Sequence, residues 1–101
     1  MLTKEDIITK IEQNKKKIRY FGVKKLILFG SYARNEAKRG SDIDFLVEFA
    51  QGRGLFKDYV HLLQFLRDDL FKRKVDLVEP HLVRDELRES ILEGAQIEAK
   101  I

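Results

Sequence analysis

The sequence lacks cysteine and tryptophan altogether and has one proline among its 101 residues. Without cysteine, the chain has no disulfide, cysteine-ligated zinc, iron–sulfur cluster or thiol nucleophile. It also lacks long apolar runs: the charged start MLTKEDIITKIEQNKKK contains no apolar core of about 7–15 residues, and no stretch approaches the roughly 20 residues of a membrane span. These absences predict neither a signal peptide nor membrane contact, and the cytoplasm is the expected location.

Neither sign of charge dominates the composition. The 20 basic and 17 acidic residues leave a formal net charge of +3, which is compatible with a phosphate-bearing ligand but does not require one. A hydrophobic fraction of 44%, with 10% aromatic residues, excludes intrinsic disorder. Because single cores usually serve about 100–150 residues, we expect one domain over residues 1–101.

The hydrophobic pattern alternates between helical and strand spacing. Thr3 is expected to cap a first helix that ends near Gly22. Apolar and β-branched runs predict strands at 24–29, 42–49 and 75–78, and helical spacing predicts helices at 31–37, 55–70 and 83–93. The order αβαβαβα predicts an α/β domain of the two-layer α+β type, in which helices pack on a small mixed three-stranded sheet.

One segment, GSYARNEAKRGSDID, carries the residues that point to chemistry. Asp42 and Asp44 stand two apart in a predicted strand, so both carboxylates face the same side. Such close carboxylates repel each other unless a cation lies between them, and Mg²⁺ commonly takes one or two carboxylates plus substrate phosphates. Asp76 holds a similar position in the third strand. If that strand lies beside the second, the three carboxylates suit two Mg²⁺ ions and an in-line displacement at phosphorus.

The turn Gly30-Ser31 predicts where the phosphates bind. A strand that ends in glycine lets the backbone approach a ligand, and Ser31 then opens a helix whose free N–H groups favour an anion. Only ten residues separate Ser31 from Asp42, which favours an antiparallel pair of strands. The phosphate turn and the carboxylates are therefore expected at one edge of the sheet.

These residues resemble the GS-(ten residues)-DxD signature of the DNA polymerase beta-like nucleotidyltransferase superfamily, and most closely its minimal nucleotidyltransferases, GSxARG…SDIDL. The resemblance covers essentially the whole chain. It implies that Asp42, Asp44 and Asp76 are the catalytic, magnesium-binding carboxylates and that Gly30 and Ser31 hold the phosphates of ATP.

Three basic residues lie between the phosphate turn and the aspartates. Arg34, Lys38 and Arg39 are placed either to contact triphosphate oxygens or to form a solvated loop, and Arg34 is the best nucleotide-binding candidate because it belongs to the recurring motif. Asn35 stands where the family usually has glycine. If that position needs a positive φ, asparagine is the next-best residue.

The resemblance also implies a reaction and a partner. The reaction is transfer of AMP from ATP to a hydroxyl, with release of pyrophosphate. Stand-alone minimal nucleotidyltransferases commonly act as antitoxins beside HEPN ribonuclease toxins, and members of the class transfer AMP to a tyrosine of the toxin. In this sequence the segment 55–71 carries apolar residues beyond one helical stripe, which either complete the core or form an interface.

Two other functions stay open from the sequence alone. The chain could neutralise a partner by covering its surface, without catalysis, although the presence of all three carboxylates argues against a degenerate site. It could also modify a small-molecule hydroxyl, as aminoglycoside-modifying nucleotidyltransferases do. Six basic residues between Lys15 and Lys25 fit a solvated helix end better than a nucleic-acid surface, so direct nucleic-acid binding is not predicted.

Overall fold

The chain folds into a four-stranded mixed sheet with helices packed against it. This computed structural model describes the backbone of residues 1–101 and the side chains of residues 1–86, 88–89, 91 and 94–101. The helices are α1 (Lys4–Gln13), α2 (Lys15–Tyr20), α3 (Gly30–Ala33), α4 (Phe56–Gln64) and α5 (Asp85–Glu93). The strands are β1 (Val23–Phe29), β2 (Ile43–Phe49), β3 (Val75–Val78) and β4 (Ile97–Glu98). A π-helical segment covers Phe65–Leu70, and a 3₁₀ turn covers Pro80–Leu82.

The sheet has the order β3-β2-β1-β4. Strand β2 runs antiparallel to β1 and parallel to β3, so the predicted antiparallel pair and the mixed α/β architecture are confirmed. The predicted number of strands was wrong: there are four, because β4 pairs antiparallel with the outer side of β1. Two residues are too few to produce a recognisable alternation in the sequence.

The core lies on one face of the sheet. Alternate residues of β1 and β2 point to this face, and apolar side chains of α1, α2, α4 and the π-helical segment pack against them. The fully buried members are Ile7, Ile11, Ile18, Leu26, Leu28, Ile43, Phe45, Leu62 and Leu66. Because residues alternate along a strand, burial of Ile43 and Phe45 turns Asp44 to the opposite face, where the functional residues lie.

The predicted first helix is two helices. Its start is as expected, since Thr3 and Asp6 form a reciprocal capping box with N–H to oxygen distances of 3.0 and 3.1 Å. Asn14 interrupts the helix because its side-chain amide donates to the Lys10 carbonyl at 2.8 Å while its backbone leaves helical angles. Asparagine competes with the helical backbone in this way, which explains the break.

The predicted long helix changes its winding in the second half. Over Phe65–Leu70 it widens to a π-helix, and the Phe71 N–H bonds to the Leu66 carbonyl at 2.9 Å. The wider turn brings Phe71 into the core, 6.0 Å from the Phe45 ring between centroids. Phe71 therefore completes the core, whereas Phe56, at the start of α4, stays 83% exposed.

Strand β3 lies at an edge of the sheet, and α4 covers part of it. The Tyr59 hydroxyl donates a 2.6 Å hydrogen bond to the Leu77 carbonyl.

Across the chain as described, every helix falls short of the length and apolar character that a membrane crossing requires.

Candidate active site

Gly30 directly follows the last residue of β1 and lies in front of Asp44. The two strands pair Phe29 with Asp44, and Gly30 follows with a φ of +75°. A Cβ added at Gly30 would overlap Asp44 Oδ2 and lie 3.0 Å from its Cγ. Glycine is required here twice over, because L side chains rarely adopt this φ and because any side chain would fill the space in front of the carboxylate.

Asp44 and Asp76 form a pair across β2 and β3. They occupy directly adjacent positions in the parallel register, so their side chains lie next to each other on the same face of the sheet. Partial burial, together with the negative charges of Asp76 and Asp42, raises the pKa of Asp44 to about 6, and the charge of Arg34 opposes this shift. Two carboxylates this close hold a proton between them at acidic pH, and a divalent cation would satisfy both at neutral pH.

Asp42 lies near enough to this pair for its charge to act on Asp44, but it has a different partner. It precedes β2 by one residue instead of lying within it, and its Oδ2 forms an ion pair with Lys74 Nζ at 3.3 Å. The structure therefore brings Asp44 and Asp76 together, whereas Asp42 is paired with Lys74. Sequence reasoning missed Lys74; the run of three basic residues, 72–74, two positions before Asp76 was the available signal.

The donor set at this edge fits magnesium with a bound phosphate chain. Among the side chains that the structure describes, no three histidine, cysteine or acidic groups form a complete metal cluster. A complete cluster is not needed, because Mg²⁺ takes few protein carboxylates and fills its other positions with substrate phosphates and water. Asp44 and Asp76 would hold such an ion, and Asp42 would join them on release from Lys74.

The start of α3 is the segment at which the sequence predicts phosphate binding. Ser31 lies in the first turn of this four-residue helix, where backbone N–H groups have no partner within the helix. Arg34 ends the helix, and its Nε donates to Glu36 Oε2 at 3.0 Å. Between them, Asn35 has a φ of +59°, so the expected left-handed residue is confirmed and explains why α3 ends at Ala33 instead of continuing to residue 37.

An antiparallel strand pair that presents a Gly-Ser turn to paired carboxylates, with a parallel third strand supplying one of them, is the architecture of a nucleotidyltransferase. The chain belongs to the nucleotidyltransferase domain family, whose profile matches residues 6–97. It is accordingly an enzyme of this class.

Named relatives and solved structures agree with this assignment. The protein adenylyltransferase MntA of Thermococcus cleftensis is 38% identical over 93 residues, which are 91% of this chain and 92% of that protein. A structure assigned to a minimal nucleotidyltransferase is 33% identical, with a TM-score of 0.75, over 93% of this chain and 94% of that one. A chain from a toxin–antitoxin structure with AMP-PNP is 25% identical, with a TM-score of 0.65, over 88% of this chain and 72% of that one.

Proposed function

We propose that this enzyme transfers AMP from ATP to a hydroxyl of a partner protein, a tyrosine of a HEPN-type toxin, and so acts as the antitoxin of a toxin–antitoxin pair. The observation that carries the proposal is the Asp44–Asp76 pair facing the side-chain-free Gly30. The names of the relative from Thermococcus cleftensis, an adenylyltransferase of proteins, and of the toxin–antitoxin structure with AMP-PNP support the protein acceptor and the adenine nucleotide.

Each predicted residue has a role in this reaction. Gly30 gives the triphosphate room, while Ser31 and Arg34 donate hydrogen bonds to its oxygens. Asp44, with Asp42 once it is released from Lys74, would hold the Mg²⁺ that accompanies the triphosphate, and a second ion beside Asp76 would help to neutralise the developing charge. Asp76, across the sheet from Gly30, accepts the proton of the incoming hydroxyl. The hydroxyl oxygen then bonds to the α-phosphorus, and the bond to the pyrophosphate leaving group breaks.

An exposed apolar surface near Asp76 favours a protein acceptor over a small molecule. Phe56 and Leu82 are 83% and 71% exposed and border a cavity of about 440 Å³ that Leu77 and Val78 also line. Those two residues directly follow Asp76, and two steps along a strand span roughly 7 Å. A contiguous apolar patch of exposed side chains, unlike a single one, typically marks a protein contact.

The first test separates the roles of the carboxylates. We expect Asp76→Asn to keep most of its affinity for magnesium–ATP but to lose AMP transfer by about 10²–10⁴-fold, because it removes the proton acceptor. Asp42→Asn should weaken both binding and transfer. Binding is measured by calorimetry and transfer by single-turnover labelling from radioactive ATP, with the product of the neighbouring gene as acceptor. Wild-type transfer by Asp76→Asn would remove the three-carboxylate site.

The alternative of a non-catalytic antitoxin is tested with the same acceptor. We expect Asp44→Asn to bind the toxin as tightly as the wild type does. The toxin should nevertheless stay active in this complex, because neutralisation requires the covalent AMP. Full neutralisation by Asp44→Asn, with no label on the toxin, would instead show that complex formation is sufficient. Labelling of an aminoglycoside in place of the protein would support the small-molecule alternative.

A further inference from the structure

A cationic cavity lies beside Asp42, separate from the Gly30-Ser31 turn. Its volume is about 510 Å³, and it forms where the loop before β2 meets the loop before β3. Five basic side chains and one carboxylate line it: Lys38, Arg39, Asp42, Lys72, Arg73 and Lys74. Gly30, Ser31 and Arg34 are not among its described lining residues. The strong excess of positive charge in one concave site requires an explanation.

The loops that carry these cations are fixed in place. In the first loop the Lys38 N–H donates to Ser41 Oγ at 2.8 Å, and the Ser41 N–H donates to the Lys38 carbonyl at 2.9 Å. The second loop is joined to the first because the Ile43 N–H donates to the Lys74 carbonyl at 3.1 Å. The backbone segments that carry the cations are therefore held near one another before any ligand arrives.

Two of the basic residues are constrained individually, Arg73 through its side chain and Lys72 through its backbone. Arg73 Nη1 donates to the Tyr32 hydroxyl at 2.7 Å, and the Tyr32 ring is buried. Lys72 has a φ of +52°, a backbone conformation that costs a lysine energy and that recurs at ligand-binding sites. Within the described part of the chain, Lys38, Arg39 and Lys72 form no ion pair, and Lys74 is neutralised by Asp42 alone. The cavity thus keeps most of its positive charge.

We propose that this cavity binds the pyrophosphate released by nucleotidyl transfer, as a product site next to the catalytic carboxylates. Two linked phosphoryl groups are compact and highly charged, and they match several cations converging on one cavity, whereas a nucleic-acid strand follows a long basic groove. Asp42 lines the cavity and is also the first aspartate of the DxD motif. The cavity therefore adjoins the site at which the reaction would release pyrophosphate. The proposal rests on the nucleotidyltransferase reaction, and it is independent of the acceptor.

The test measures binding of inorganic pyrophosphate by calorimetry, without magnesium, in the background Gly30→Val. That background obstructs the nucleotide turn, so binding there reports on the cavity. The test variant adds Arg39→Gln and Lys72→Asn, since asparagine tolerates the positive φ and removes only the cation. The matched control adds Lys16→Gln and Lys25→Gln, which remove two exposed cations elsewhere.

We expect Arg39→Gln/Lys72→Asn to weaken pyrophosphate binding at least tenfold and the control to change it less than twofold. In the otherwise wild-type chain, the same pair should leave affinity for magnesium–ATP within about threefold. The product site would be overturned if both double variants weakened pyrophosphate binding equally, or if neither weakened it. Tighter binding of a 20-nucleotide single strand, with a steep salt dependence removed by Arg39→Gln/Lys72→Asn, would overturn it in favour of a nucleic-acid surface. Absence of AMP transfer would leave these binding results unaffected.

Discussion

At the scale of single residues, the site depends on the space that Gly30 leaves in front of Asp44. Gly30→Ala places a methyl group against Asp44 Oδ2 at a φ of +75°. We expect affinity for magnesium–ATP to fall at least tenfold, because the methyl group and the triphosphate compete for one space. The measurement is calorimetric titration of the nucleotide.

Gly52→Ala is the matched control for this substitution. Gly52 has a similar φ of +80°, and an added Cβ there meets no atom within 4 Å. Both variants pay a comparable backbone cost, so only the obstruction differs. Nucleotide affinity that falls equally in both would show that backbone strain, and not loss of space, is responsible.

Asp44 predicts a pH dependence of stability at the same scale. Its pKa is about 6 in the folded chain, above the usual value of 3.8, so the folded state binds the proton more tightly than the unfolded state. The resulting stabilisation is fully present below pH 4 and is lost as the pH rises through 6. Relative to Asp44→Asn, whose amide has nearly the same shape and does not titrate, we expect metal-free wild type to lose on the order of 2–3 kcal/mol between pH 4 and pH 7.

Urea unfolding of both proteins at pH 4, 5.5 and 7 measures this difference. Titrating groups distant from Asp44 act alike in the two proteins and cancel. Added magnesium should reduce the loss at pH 7, since the cation replaces the proton. A difference that stays constant from pH 4 to pH 7 would contradict the shared proton.

At the scale of elements, Arg53 joins three parts of the chain. Its guanidinium makes two hydrogen bonds to Asp58 in α4, at 2.9 and 3.0 Å, and donates to the Tyr20 carbonyl at the end of α2 at 3.0 Å. Asp58 also accepts from the Gly54 N–H at 2.9 Å, and the hydrogen bonds from Arg53 and Gly54 lower its pKa to about 2. This network fixes the turn between β2 and α4.

We expect Arg53→Ala to lower the Tm by several degrees, because one substitution releases both helices from the turn. Arg67→Ala is the control: its side chain is as exposed as that of Arg53, at 44%, and among the described side chains it pairs only with its neighbour Asp68. An isolated exposed pair contributes little, so the control Tm should stay within about 1 °C of wild type. Differential scanning calorimetry makes the comparison, and equal shifts would show that the network adds nothing to a surface pair.

Which elements were predictable follows from the range of the forces that form them. The strands around Leu26 and Phe45 and the cap at Thr3 depend on local spacing, and the sequence shows that spacing directly. The pairing of Asp44 with Asp76 followed from the element order only once β3 was placed beside β2. The widening at Phe65–Leu70, the two-residue β4 and the ion pair between Asp42 and Lys74 depend on tertiary contacts that no local pattern records.

At the scale of the whole molecule, the apolar surface around Phe56 predicts how the acceptor protein docks. We expect Phe56→Ser to raise the KM for the acceptor at least fivefold and to leave kcat and ATP affinity nearly unchanged, because the side chain lies outside the catalytic edge. Tyr20→Ser is the control, since Tyr20 is 75% exposed on α2, outside this surface. Steady-state labelling of the acceptor by both variants decides it; equal KM values would remove Phe56 from the interface.

The hydrogen bond from Tyr59 to the Leu77 carbonyl has a consequence for solubility. An edge strand with free carbonyls can recruit the same strand of another molecule and begin aggregation. Tyr59 occupies one of those carbonyls on β3, and the basic run 72–74 places repelling charges at the entrance to the same edge. We therefore expect the side chains that line the cavities beside Phe56 and beside Asp42 also to oppose edge-to-edge pairing of copies of this chain at β3.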